Sequence, residues 1–350
     1  MQNDKSKKSF LITGGAGFIG SHLSEALLGK GHRVLVIDDL STGNINNISH
    51  LIDNKNFHFA RASITDEIVL DRLSSQSDII IHLAAAVGVQ LIVKHPVHTI
   101  ETNVMGTATV LRTALRYHCR VLLASTSEVY GKGVSIPFSE EDDVLLGPTS
   151  KSRWAYAESK MIDESLALAY KREFGLDVVP FRLFNTVGPR QTGQYGMVVP
   201  RFVQQALQNK LITVYGDGNQ RRCFCDVRDV VRAIIDLADH TMASGKVFNI
   251  GSQEEISIMD LAQKIKSMTK SNSEIQTVSY TKAYADGFED MQRRKPNIDR
   301  IRSTIGWKPS FTLDEILYNI ITHKKNKVKK IDTFKQQVYT NTYQQVAATS

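Results

Sequence analysis

Ser9-Phe-Leu-Ile-Thr-Gly14-Gly-Ala-Gly17-Phe-Ile-Gly20 decides how the rest of the chain is read. Ser9 to Thr13 is a run of β-forming residues, and Ser21 to Leu28 behind the glycines has helical character. The glycines read both as G-x-x-G-x-x-G from Gly14 and as G-x-G-x-x-G from Gly15. Glycine there lets the backbone turn tightly and approach a pyrophosphate, which sits where a helix N-terminus presents free N–H groups. A second strand, Arg33 to Ile37, ends in Asp38-Asp39, and Asp38 stands 18 residues after Gly20. That is close to the spacing of an acid that holds adenosine ribose hydroxyls. A carboxylate there repels a 2′-phosphate, so NAD is expected rather than NADP. One glycine motif is weak evidence; strand, glycines, helix, strand and acid in that order are strong.

The alternation continues. Asn56 to Ala60 and Asp78 to Leu83 read as strands, Pro96 to Tyr117 as a long helix, and Arg120 to Ala124 as the next strand. Ser152 to Phe174 reads as a helix stopped at Gly175, with a strand at Asp177 to Leu183 behind it. This predicts an α/β fold, a doubly wound parallel sheet of Rossmann type with right-handed crossovers. After Phe184-Asn-Thr-Val-Gly-Pro-Arg190 the pattern loosens. Helices are expected near Val198–Gln208, Arg228–Asp239, Ser257–Met268 and Ile298–Ile305, strands at Ile212–Tyr215 and Val247–Ile250, and a last helix from Leu313. Residues 1–185, with 228–250 returning, are expected to form the nucleotide-binding domain. Residues 186–227 and 251–323 would form a smaller interleaved α/β lobe for substrate, and 324–350 a basic, poorly ordered tail.

Ligands of open parallel sheets gather at the carboxyl ends of the strands. The strand from Arg120 delivers Ser125-Thr126-Ser127-Glu128 to such an end. Further on, Tyr156-Ala-Glu-Ser-Lys160 places a phenol and an ammonium on one helix face. The ammonium favours phenolate, so the phenol's pKa is expected to fall from about 10 toward the working pH. Such a group accepts the proton of an alcohol that is losing hydride. His82 lies inside an apolar strand and reads as a satisfied core histidine.

The net charge of +7 would suggest nucleic acid, but its location argues otherwise. The first nine residues carry +2 and residues 324–350 carry +5, so the 314 between them sum to zero. Neither a nucleic-acid nor a membrane partner is expected. Three cysteines in 350 residues suit a reducing cytoplasm. Cys223-Phe-Cys225 has the wrong spacing for a zinc site, and no metal is expected. The longest apolar stretch, Ile79 to Val93, is broken by His82 and Gln90 and is too short to span a bilayer.

Together, Gly14–Gly20, Ser125-Thr-Ser-Glu-Val-Tyr-Gly131, Tyr156–Lys160 and Arg182-Leu-Phe-Asn-Thr-Val-Gly-Pro-Arg190 resemble an extended short-chain dehydrogenase/reductase. More narrowly, they resemble the NAD-dependent nucleotide-sugar epimerases, dehydratases and decarboxylases, from about Phe10 to Ile321. Ser127-Glu128 is the pattern of UDP-glucuronate decarboxylases and also of GDP-mannose 4,6-dehydratases. Ser152-Arg-Trp-Ala-Tyr156, Gln220-Arg-Arg-Cys-Phe224 and Gly287-Phe-Glu-Asp-Met-Gln-Arg-Arg294 resemble the decarboxylase of the bacterial aminoarabinose pathway.

The resemblance implies that Tyr156 takes the C4 hydroxyl proton while Lys160 holds the phenolate and the cofactor ribose. Thr126 would bond the same oxygen, Glu128 would act at C5 with help from Ser127, and Arg294 would meet the C5 carboxylate. Gly14, Gly17, Phe18, Ile19, Gly20, Asp38, Asp39, Leu83, Ala84, Ala85, Val87 and Asn103 would hold the cofactor. Ser63-Ile64 would lie near the adenine, where the family often has Asp before a hydrophobic residue. Asn185, Arg190, Tyr215 and Arg222 would bind the nucleotide sugar. The activity implied is oxidation of UDP-glucuronate at C4 and decarboxylation to a UDP-pentose or UDP-4-keto-pentose. A 4-epimerase is the nearest alternative, then a 4,6-dehydratase; a silent NAD-binding scaffold has no need of an activated phenol. A homodimer through Ile100–Tyr117 and Ser152–Phe174 is expected by the same resemblance.

Overall fold

The computed structural model describes residues 7–88, 92, 94–193, 197–280 and 291–326. Six parallel strands carry the first half of the chain: β1 (Ser9–Thr13), β2 (Arg33–Ile37), β3 (Phe57–Ala60), β4 (Ile79–His82), β5 (Arg120–Thr126) and β6 (Val178–Leu183). Phe248–Ile250 pairs in parallel with β6 as a seventh strand. The spatial order is Phe248–Ile250, β6, β5, β4, β1, β2, β3. Both faces are covered, and strand periodicity shows how. Phe10, Ile12, Val34 and Val36 enter the core beneath the Phe18–Gly29 and Val227–Asp239 helices. Their neighbours Leu11, Leu35 and Ile37 point the other way, toward Leu70, Val110, Leu111 and Ala167 on the opposite helices.

Local chemistry sets the helix ends. Asp66, Asp226 and Ser257 each accept a backbone N–H at a helix start, and Gly175 ends the Ala155–Phe174 helix in the left-handed conformation. Ser152–Trp154 is a separate 3-10 turn ahead of that helix, and β5 runs on to Thr126, two residues beyond the expected end. The Glu67–Ser74 helix is an element that the sequence pattern did not suggest.

A second core gathers Phe202, Val203, Ile212, Val214, Leu261, Ile265, Ile316 and Leu317. It joins the helices Val198–Leu207, Ile258–Thr269 and 313–326 to the strand Ile212–Tyr215. Residues 324–326 therefore continue the last helix; the remainder of the expected tail lies outside the described residues. Several two- to four-residue strands were not foreseen. Arg221–Cys223 pairs with both Glu255–Ser257 and Arg293–Arg294, setting Arg294 opposite Arg222, while Thr186–Val187 pairs with Cys225–Asp226.

A buried ion pair ties the Ala155–Phe174 helix to β6. Arg182 donates from Nη2 to Glu164 at 2.7 Å and from Nε at 3.0 Å, and its guanidinium stacks 4.7 Å from the Tyr130 ring centroid. Removing one partner of such a pair strands the other charge away from water. Glu164→Ala should lower the unfolding free energy by roughly 3–5 kcal/mol in a denaturant titration; a loss below about 1 kcal/mol would show that the guanidinium finds other acceptors.

Candidate active site

Strand order reverses between β1 and β4, and the candidate site lies at the carboxyl ends of the strands there. Gly14 follows β1 with φ +71, and a Cβ on it would lie 2.9 Å from the Ala84 backbone. A Cβ on Gly20 would run into the Gly14 carbonyl oxygen. No side chain caps the start of the Phe18–Gly29 helix at Gly17, so its first N–H groups face the turn. That cradle fits a pyrophosphate.

Asp38 is buried at the end of β2. Its carboxylate accepts Ala16 N–H at 2.9 Å and Leu40 N–H at 2.8 Å, which buttresses the glycine turn and leaves acceptor positions for ribose hydroxyls. Burial raises its pKa, while the Leu40, Ala16 and Gly17 amides pull it back. Asp39 is exposed and accepts the N–H of Ser41 at 2.8 Å, because successive side chains at a strand end point to opposite sides.

Leu83 and Ala84 are fixed by Thr13, and Ala85 lies between Ala84 and the buried Ala86. Val87 packs with Ile92, Ala155 and Tyr156. Asn103 is buried with its amide spent inside the protein. Its oxygen accepts Ala86 N–H at 2.8 Å, and its nitrogen donates to Ser159 at 2.9 Å. It therefore pins the loop after β4 to the Tyr156 helix. Ile64 is a core residue against Gly106, and Ser63 bonds Thr65 at 2.8 Å. Phe18 and Ile19 pack against the core, Phe18 edge-on to His22.

Tyr156 and Lys160 are both buried on the Ala155–Phe174 helix. Lys160 Nζ donates to Asp163 Oδ2 at 2.9 Å. The expectation of a lowered phenol pKa is overturned. Burial, and then the Glu128 and Asp163 carboxylates, push Tyr156 above its ordinary value; the Thr126 hydrogen bond opposes them. The sequence showed the lysine but not that a buried aspartate would share it. Thr126 Oγ1 also accepts Glu128 N–H at 3.2 Å, and Ser127 is buried in the 3-10 turn that begins there.

Glu128 lies between two arginines distant in sequence. Arg153 Nη1 donates to Oε2 at 2.6 Å and Arg294 Nη1 to Oε1 at 3.4 Å. Burial alone would raise the carboxyl, but the guanidiniums of Arg153 and Arg294 outweigh it and hold the pKa at about 2. Arg153, whose side chain is 1% exposed, is a site residue that sequence reasoning quoted without giving it a role. Its position three residues before Tyr156, one helical turn away, was the available signal.

The predicted substrate residues are not all gathered together. Arg222 is buried beside Arg294, donating to the carbonyls of Arg221 and Gln292. Tyr215 stacks under Arg201, 4.0 Å from its guanidinium carbon. Asn185 donates to the Cys223 carbonyl at 2.9 Å. Arg190 is the exception: it pairs with Glu25 of the Phe18–Gly29 helix, because the run after Asn185 crosses to that helix, where His22 meets the Pro189 carbonyl at 3.0 Å.

Sheet, glycine turn and Tyr156–Lys160 helix define a short-chain dehydrogenase/reductase type of nucleotide-sugar enzyme. The chain belongs to the family described as GDP-mannose 4,6 dehydratase, which matches residues 11–320. It is 43% identical to a UDP-N-acetyl-alpha-D-glucosaminuronate decarboxylase of Bacillus cytotoxicus, over 90% of this chain and 97% of the relative. It is 37% identical to UDP-glucuronic acid decarboxylase 1 of Xenopus tropicalis, over 93% of this chain and 74% of the relative. Among solved structures it is similar to the UDP-glucose 4-epimerase of Thermotoga maritima, with a TM-score of 0.82 and 29% identity over 91% and 99% of the two chains. The resemblance read from the motifs agrees with these relatives.

The two guanidiniums make Glu128 ionised throughout the neutral range. Arg153→Met should raise its pKa, so that the carboxyl takes up a proton at a higher pH than in the native protein. A carbon-13 titration of glutamate-labelled protein checks this, and an unmoved Glu128 would show that Arg294 alone suffices.

Proposed function

We propose that this protein is an NAD-dependent decarboxylase of a UDP-linked hexuronic acid. The observation that carries the reading is the Arg153–Glu128–Arg294 cluster beside Tyr156. Two guanidiniums against one carboxylate leave a positive charge in excess, which suits a substrate that brings its own carboxylate. The two decarboxylase relatives are named for UDP-linked uronates, one with a 2-acetamido group.

NAD, when bound, supplies hydride acceptance and return at C4 of the sugar. Gly14, Gly17 and the Phe18–Gly20 amides would hold its pyrophosphate, and Asp38 its ribose. Tyr156 takes the C4 hydroxyl proton with Lys160 supplying positive charge nearby, and Thr126 bonds the same oxygen. The phenol holds its proton in the free chain. The positive charge of bound NAD would have to join that of Lys160 before that proton passes to solvent and leaves the phenolate that accepts the C4 proton. The C4 ketone is β to the C5 carboxylate, so loss of carbon dioxide leaves a stabilised enolate. Arg294 meets that carboxylate through two parallel bonds better than a lysine could. Arg153 keeps Glu128 paired meanwhile, and the ionised Glu128 with Ser127 would orient a water that gives its proton to C5, the hydroxide left behind being neutralised by solvent. Arg222, Tyr215 and Asn185 would face the nucleotide diphosphate side. The product is a UDP-pentose or its 4-keto form.

Incubation with NAD+ and either UDP-glucuronate or its 2-acetamido analogue should release the mass of carbon dioxide. Unchanged mass with new stereochemistry would favour the epimerase, and loss of water the dehydratase. Tyr156→Phe should cut turnover by at least roughly 10²-fold while retaining NAD binding. Arg294→Ala should impair the uronate far more than a neutral UDP-hexose.

The same reading places the enzyme in the cytoplasm as a homodimer. Cys119, Cys223 and Cys225 are buried and form no disulfide. Ile100, Met105 and Ile162 are exposed on the two long helices, which pack against each other. A second copy would cover them. Light scattering should give twice the chain mass, and Met105→Glu should shift it toward the monomer.

A further inference from the structure

Glu128 and Arg294 stand 166 residues apart in sequence, and one buried amide outside the chemistry proposed above is bonded to the supports of both. Asn249 lies in the seventh strand, opposite Arg182 of β6. Its Oδ1 accepts the Tyr130 hydroxyl at 2.8 Å. Its Nδ2 donates to the Phe138 carbonyl at 3.0 Å and to the Asn297 carbonyl at 3.2 Å. Its backbone N–H donates to Glu140 Oε1 at 2.8 Å. These partners fix the amide's orientation, because two carbonyls can only accept and therefore face the nitrogen.

Each partner belongs to one half of the ion pair. Tyr130 closes the 3-10 turn Ser127–Tyr130 that carries Glu128. Its ring lies flat on Phe138, with centroids 4.7 Å apart and planes 2° from parallel. Arg294 is held on both flanks. Arg293–Arg294 pairs with Arg221–Cys223, and behind it the Phe138 N–H donates to the Lys295 carbonyl at 2.8 Å. The Phe138 carbonyl accepts twice, from Asn297 N–H at 2.8 Å and from Asn249 Nδ2. Tyr130, Phe138 and Asn249 are at most 1% exposed, so water offers no substitute partner.

We propose that the Asn249 side chain positions the Glu128–Arg294 pair, its oxygen holding the Glu128 turn and its nitrogen the segment that follows Arg294. The position demands one acceptor and two donors on a single short planar group, which leucine of similar size lacks altogether. Arg294 Nη1 reaches Glu128 Oε1 at 3.4 Å, against 2.6 Å for Arg153 and Oε2. The Arg294 arm is therefore the one that a small movement of either support breaks. This positioning stands on the contacts alone; its effect on substrate rests on the decarboxylase reading above.

Two substitutions test it without adding charge. Tyr130→Phe removes the hydroxyl and leaves the ring stack, whereas Asn249→Leu removes the acceptor and both donors. The Glu128 carboxyl reports the outcome, its carbon-13 signal in glutamate-labelled protein identified by its loss in Glu128→Gln. Arg153 and Arg294 are the charges facing it, with the Tyr156 phenol alongside, so withdrawal of Arg294 shifts its titration to higher pH. Both variants should show that shift, and the double variant should match Asn249→Leu, since the hydroxyl has already lost its partner there. With NAD+ present, the preference for binding UDP-glucuronate over UDP-glucose should fall on the order of tenfold in each. If Asn249→Leu does not fold, Tyr130→Phe, which deletes one oxygen, carries the test. A native Glu128 titration in Tyr130→Phe overturns the positioning role, as does a double variant in which two separate shifts add. If the native chain binds no UDP-uronate while the variants show the shift, the decarboxylase reading fails and the positioning stands.

Discussion

Strand order reverses between β1 and β4, and most of the molecule's arrangement answers to that reversal. Right-handed crossovers leave β1 toward β2 on one side and β4 toward β5 on the other, so the loops after β1 and β4 part and open a crevice. Everything brought to that crevice sits at a strand's carboxyl end: the glycine turn after β1, Leu83 and Ala84 after β4, Thr126 to Glu128 after β5. The close approach of Gly14 to Ala84 is the tightest consequence. It excludes a side chain from the position where backbone must come nearest a phosphate.

Charge in the centre is arranged as tightly as shape. Glu128 has Arg153 and Arg294, Glu164 has Arg182, and Asp163 has Lys160. Each carboxylate is removed from water, where an unpaired charge costs several kcal/mol. Pairing keeps Glu128 ionised in a region that otherwise favours neutral forms, as Tyr156 and His82 show by shifting toward neutrality. The site thus holds fixed positive charge on one wall and a proton-bearing phenol beside it. That combination suits an alcohol whose neighbour carries a carboxylate.

The sheet was largely legible in the sequence. β1 and β2 begin and end where the β-forming runs do, and the Pro96–Tyr117 helix keeps both expected ends. These elements have strong periodicity and marked punctuation. Arg221–Cys223 and Arg293–Arg294 were not legible, because a strand that short exists only through its partners. The same limit applied to the site. Tyr156 and Lys160, one turn apart, were readable together, whereas the lysine's tie to Asp163 and the phenol's upward shift depend on burial. The contact of Arg190 with Glu25 was not legible either, because a motif does not show which way its chain turns.

The sequence by itself determined the parallel α/β architecture, the nucleotide turn and the identity of the groups able to move a proton at an alcohol. Those follow from local spacing, in which residues act on neighbours within a turn or a strand. Only the tertiary structure decided which charges meet. Arg294 reaches Glu128 across 166 residues because a three-stranded sheet carries it there, and Arg153 arrives from the other side on the turn before Tyr156. The physical reason is dielectric: a charge acquires its pKa and its partner only once water has been removed around it.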